Sequence, residues 1–123
     1  MGVYGYKGFD KNLRCRNMQF EVGKTYETEG DPKTAKNGMH FCMEPFGVLQ
    51  YYPKNQGNRY CIVEALGLLS TDDRLDTRAS TNRLRIVKEI TEDELFVIQK
   101  EYRDELDKKI RRGIDEFQTT TRK

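Results

Sequence analysis

The period of the chain changes at Thr91, and that change constrains the fold more than any other feature. Beyond it Leu95, Ile98, Tyr102, Leu106 and Ile110 recur every three or four residues, which is the spacing of one helix face. Thr91 with Glu94 matches a capping box, in which hydroxyl and carboxylate each satisfy a backbone amide of the first turn. Asp104 and Glu105 precede Lys108 and Lys109 by one turn, and Lys108, Lys109, Arg111 and Arg112 follow in a basic run. The pairs and the run both favour a helix. Gly113 is the expected C-cap, unless Ile114 and Phe117 carry the stripe further. Before Thr91 the apolar residues alternate in short runs separated by Gly, Pro, Asn and Asp, the pattern of strands and turns.

That first part reads as a series of strands. Val3–Phe9 is the first, with Gly5 and Gly8 marking bends or a close backbone approach. Asp10-Lys11-Asn12 is a turn. Met18, Phe20 and Val22 alternate with Gln19 and Glu21 until Gly23, and Thr25–Glu27 resumes the strand. Residues 28–38 are loop. Met39–Met43 is a short strand, Pro45 opens a helical turn ending at Pro53, and Tyr60–Leu66 is the clearest strand. There Cys61, Val63 and Ala65 oppose Tyr60, Ile62 and Glu64. Residues 70–82 are polar, lack periodicity and read as a loop that is either mobile or a binding element. Leu84–Ile90 is the last strand, with Leu84, Ile86 and Lys88 on one side.

The expected fold is α+β. A mostly antiparallel, twisted sheet of five to seven short strands carries a short helix near 45–52 and a long amphipathic C-terminal helix. At 123 residues the chain is one domain: a β-rich part over 1–90, the helix over 91–117 and a frayed tail over 118–123. Two readings of the apolar stripe stay open. It lies on the domain's own sheet, or its distal half protrudes and forms a homo-oligomer. A helix of about 20 residues spans roughly 30 Å, more than such a sheet needs.

Composition narrows the partners. Lys and Arg number 22 against 20 Asp and Glu, a net charge of +2, so nothing in the composition argues for nucleic acid. Seven Tyr and six Phe without Trp supply the aromatic packing and argue against disorder. Three cysteines, an odd count without close pairing, suit a reducing compartment. No apolar run is long enough for a membrane span. The expectation is a cytoplasmic protein.

Several polar residues are candidates for chemistry. Cys15, Cys42, Cys61 and His40 make a Cys3His set without a Cys-x-x-Cys knuckle, so each is read first as structural. Cys-His nucleophilic catalysis requires the two side chains to meet, which His40 and Cys42 do poorly on one strand face. Lys7, Lys11, Arg14 and Arg16 form a basic cluster, and Arg59 precedes a strand; guanidinium forks suit phosphate or carboxylate. The alternative is a solvated face paired with Glu21, Glu27 and Glu29. Tyr4, Tyr6, Tyr51 and Tyr52 could stack on a base. Glu64, mid-strand, faces either solvent or a pocket. No phosphate loop, dinucleotide fingerprint, serine elbow or zinc-protease helix is present.

The run Tyr6-Lys7-Gly8-Phe9, Cys15-Arg16, Gln19 to Tyr26, Gly38-Met39-His40-Phe41-Cys42, Pro45, Tyr51-Tyr52 and Val63-Glu64-Ala65-Leu66-Gly67 resembles a small domain family of unknown function frequent in bacteriophages and prophages. The likeness covers about two thirds of the chain, from Gly5 to Ile90. It implies a viral accessory protein in the host cytoplasm and brings no catalytic residue with it. The order of Tyr6-Lys7-Gly8, the Gly38–Cys42 strand, the following short helix and the Glu64 strand is also similar, more loosely, to small ADP-ribosyltransferase-like folds. That likeness implies an enzyme acting on NAD with Lys7, His40 and Glu64 in its pocket.

The leading expectation is a phage accessory protein that acts by binding rather than catalysis. It would inhibit or sequester part of a host defence system, either a host protein or a nucleotide-type signal. No cofactor, metal or membrane partner is expected. The expected ligand-binding residues are Lys7, Arg14, Arg16, His40, Tyr52, Arg59 and Glu64, with the 70–82 loop at the rim. The alternative is the NAD-dependent transferase.

Overall fold

The computed structural model describes residues 2–32, 38–71 and 78–121. Its strands are β1 (Val3–Phe9), β2 (Arg14–Cys15), β3 (Met18–Gln19), β4 (Thr25–Glu27), β5 (Met39–Cys42), β6 (Arg59–Ala65), β7 (Leu69–Thr71), β8 (Arg78–Thr81) and β9 (Arg83–Ile90). A 3-10 helix, Pro45–Gln50, follows β5, and α1 (Glu92–Thr121) closes the chain. Seven strands form one sheet in the order β4-β9-β6-β1-β5-β8-β7, and β2 pairs with β3 in a small hairpin. All pairings are antiparallel. The α+β class, the antiparallel sheet and both helices are as the sequence led us to expect.

Alternation along the strands divides the interior in two. Phe9, Cys61, Val63, Ala65, Phe41, Met39, Ala79, Leu84 and Ile86 form one cluster with Leu13 and Phe20. Phe20 meets Phe9 and Tyr26 edge-on, at centroid distances of 5.4 and 4.8 Å. On the other face Tyr60, Ile90, Cys42, Val48 and Leu95 cluster with Tyr6, Phe46, Tyr52, Ile62 and Ile98. The 3-10 helix and the first turns of α1 cover that second face. Gln99 fastens them: its Oε1 accepts from the Phe46 amide at 3.0 Å and its Nε2 donates to Glu44 at 3.3 Å. A buried amide is tolerable because it is satisfied in this way.

Three expectations need correction. The 70–82 stretch is not simply a loop: β7 runs into its start, β8 lies within it, and Ala79, Ser80 and Thr81 are all buried. Residues 72–77 of that expected loop lie outside the described residues, as do 33–37 of the 28–38 loop. Polar side chains in a central strand defeat any reading based on apolar alternation. Next, Lys88 does not share a side with Leu84 and Ile86. A register shift between Ile62 and Val63 pairs Ile62 with Lys88 but Val63 with Ile86. The extra residue in β9 is Val87, and such a bulge sends the following side chains to the opposite face. Finally, the strand expected over 18–22 is only Met18–Gln19.

The capping box is formed, with the Glu94 amide donating to Thr91 Oγ1 at 3.0 Å and the Thr91 amide to Glu94 Oε1 at 3.2 Å. Such a cap contributes about 1 kcal/mol. Helix α1 runs through Gly113, which is therefore not its C-cap, and reaches Thr121. Arg122 and Lys123 of the expected frayed tail, and the side chain of Phe117, lie outside the described part. Leu95 is buried, but Tyr102, Leu106, Ile110 and Ile114 are all exposed. The stripe therefore does not lie on the domain's own sheet beyond Ile98. Among the described residues no helix is long and apolar enough to cross a membrane.

Candidate functional site

The sheet makes a site where β1 and β5 meet. β1 pairs with β6 along its whole length, from Val3↔Ala65 to Phe9↔Arg59, but its register with β5 is Tyr6↔Cys42. On the Phe9 side of that pair Lys7 bridges the two strands, its ammonium donating to the His40 carbonyl and, at 3.6 Å, to Cys15 Sγ. The phenyl rings of Phe9 and Phe20 lie 5.7 and 5.5 Å from the same nitrogen. Lys7 is only 4% exposed, so its charge is held by these contacts rather than by water. Burial pulls its pKa below the ordinary lysine value, and the nearby Cys15 sulfur opposes that fall.

Over this junction opens a cavity of about 460 Å³. Lys7, Arg16 and Arg78 bring cationic side chains to its wall, beside His40, Cys15 and the rings of Tyr6, Tyr51 and Tyr52. Gly8 makes the close approach of Tyr52 possible: a Cβ there would lie 2.6 Å from the ring. Tyr52 is held at both ends. Its hydroxyl donates to Cys15 Sγ at 3.1 Å, and its carbonyl accepts from Tyr60 at 2.7 Å. Burial, followed by the bond to Cys15, raises the Tyr52 pKa, so the phenol stays protonated.

Arg16 reaches the cavity from a hairpin tip. It and Asn17 have φ of 50° and 68°, and they separate β2 from β3. Positive φ at both central residues is the requirement of a type I′ turn. A residue with a Cβ that lacks the local hydrogen bonding of Asn or Asp is uncommon there and costs about 1 kcal/mol. A second local device shapes the turn before β2. Asp10 Oδ1 accepts from the Asn12 and Arg14 amides, each at 2.9 Å, and those bonds, Arg14's first, hold its pKa below the usual range. Arg78 is presented by β8, its guanidinium 5.4 Å from the Tyr51 ring centroid.

The electrostatics are set by crowding of like charge. Burial first, then Arg16, Lys7 and Arg78, push His40 down to about 4. The ring is neutral at pH 7, able to donate with one nitrogen and accept with the other. The described wall contains no carboxylate. Cys15 is half-buried whereas Cys42 and Cys61 are buried, and burial drives Cys61 up to about 12. Among the described residues no three of His, Cys, Asp and Glu gather as a metal set, so the Cys3His combination is not assembled.

Of the residues singled out from sequence, Lys7, Arg16, His40 and Tyr52 meet in this cavity. Arg14, Arg59 and Glu64 do not. Arg14 is exposed and its guanidinium donates to the Asn17 carbonyl at 3.4 Å. Arg59 makes a two-pronged pair with Glu89 at 2.7 and 2.6 Å. Glu64 accepts from Arg85 at 3.0 and 2.8 Å and from the Gly2 amide at 3.1 Å, and Arg85 holds its pKa down. Arg78 escaped notice because its stretch reads as loop.

Comparison with curated proteins and with solved structures gives no match. A family profile matches residues 3–98, which hold the whole sheet and the cavity, and the chain thus belongs to the family described as a domain of unknown function, DUF7666.

Proposed function

We propose that this domain binds a small phosphorylated ligand bearing a base, a nucleotide-type signal, and acts by sequestering it. One observation carries the reading: Lys7, Arg16 and Arg78 converge on a single cavity that Tyr6, Phe41, Tyr51 and Tyr52 also line. Guanidinium and ammonium groups suit phosphate oxygens, and tyrosine faces suit a stacked base. The volume falls within the range of small-molecule sites. A concave site of this kind favours a small ligand over a host protein, whose recognition uses a wider surface. The viral setting, in which the signal belongs to a host defence system, rests on the sequence resemblance alone. The transferase alternative loses its carboxylate, because Glu64 is committed to Arg85 away from the cavity wall.

Thermal unfolding of the full chain with NAD, ADP-ribose and a panel of cyclic and linear nucleotides tests this. At saturating concentration one class raises Tm by several degrees, since binding stabilises the folded state by mass action. Arg16→Ala and Arg78→Ala reduce the shift, while Arg59→Ala keeps it. A flat panel would overturn the reading. Turnover of NAD that disappears in Glu64→Ala would replace it with the transferase.

A further inference from the structure

The family match ends at residue 98, and the buried part of α1 ends at Gln99. From Lys100 to Glu116 every residue is exposed. At 1.5 Å per residue that segment reaches about 25 Å from the domain. Along it Tyr102, Leu106, Ile110 and Ile114 stand four residues apart, 39, 45, 52 and 50% exposed. Side chains at this spacing form one continuous ridge. An apolar ridge on a projecting helix calls for a partner.

The charges select which partner. Glu101, Asp104, Glu105 and Asp107, with Arg103 among them, make the first half acidic, and Lys108, Lys109, Arg111 and Arg112 make the next turn basic. The boundary falls at 107/108, and the ridge 102-106-110-114 has its centre at 108. We propose that the distal half of α1 is a self-association surface on which two copies of this chain pair antiparallel about a two-fold axis near Lys108. Leu106 then meets Ile110 of the second copy, and Tyr102 meets its Ile114. At 100° per residue, Glu105 and Lys109 share one flank of the ridge, and Asp107 and Arg111 the other. The two-fold keeps each flank on its own side. Glu105 therefore faces Lys109 of the second copy, and Asp107 faces its Arg111. A parallel pair would stack acidic on acidic and basic on basic, and would align the helix dipoles unfavourably. The contact is isologous, so one surface supplies both sides.

Sedimentation equilibrium of the full chain over a wide concentration range tests the proposal. A reversible dimer is expected, with helical circular dichroism rising as it forms. Leu106→Asp removes the dimer and leaves the domain's unfolding temperature in place. Glu105→Lys and Lys109→Glu each weaken association by about tenfold, and the double swap restores it. A wild-type monomer at every concentration would overturn the proposal, even if another protein then binds the ridge. So would a dimer indifferent to Leu106→Asp, or single swaps that leave the dissociation constant unchanged.

Discussion

Arginines sit in two different settings in this one domain. Along β6 and β9, Arg59, Arg85 and Arg83 each have a carboxylate within 3.2 Å, supplied by Glu89, Glu64 and Glu27. At the β1–β5 junction Arg16 and Arg78 point with Lys7 into a cavity whose described wall has no carboxylate. The first setting is cross-strand pairing, which contributes modestly to stability. In the second, like charges are brought together at a cost that a bound anion would relieve. Sequence composition treats these cations alike, and only their tertiary surroundings separate the two settings.

The comparison breaks most visibly at Gly8. Gly8→Val drives a side chain into a Tyr52 ring anchored by Cys15 and Tyr60, costing about 3 kcal/mol. We expect a fall in Tm and loss of ligand stabilisation together. Next, Arg16→Ala separates the two settings. It weakens nucleotide affinity by about tenfold or more in calorimetry while Tm of the free protein holds, because the side chain removed is exposed and alanine keeps the same Cβ in the turn. Arg59→Ala does the reverse. It leaves affinity unchanged and lowers stability by less than about 1 kcal/mol, since both partners are over a third exposed.

Thiol labelling sharpens the comparison further. Cys15 alkylates first of the three cysteines, and bound ligand protects it; Cys61 reacts only on unfolding. Mass spectrometry after brief labelling reads this, and equal labelling of all three would contradict the burial difference. The pH dependence gives a further test. His40 has a folded pKa near 4 against an ordinary 6.5. Between those values the unfolded chain binds more protons than the folded one. Stability therefore falls as pH drops through that window, and denaturation curves of His40→Gln lose that part of the slope. Bound phosphate would draw His40 upward and flatten the slope in the wild type.

Much of the fold was legible because local physics wrote it. The alternation of Cys61, Val63 and Ala65 against Tyr60, Ile62 and Glu64 places the two cores, and Thr91 with Glu94 places the start of α1. The strand β8 was hidden because Ser80 and Thr81 are buried polar residues. The face change in β9 was hidden because a bulge adds a residue without any composition signal. At the site, the basic cluster around Lys7 and Arg16 was visible, while Arg78 arrives from a distant strand and Glu64 is taken away by Arg85.

By itself, then, the sequence determined the elements whose apolar residues keep a regular period: the strands other than β8, a capped helix after Thr91, and an apolar stripe down that helix. Periodicity and capping act over a few residues, so they can be read one turn or one strand at a time. The tertiary structure decided which cations gather and which are paired, and how far α1 stays covered. Those outcomes depend on which strands become neighbours and on how wide the sheet is, properties of contacts between residues distant in the chain.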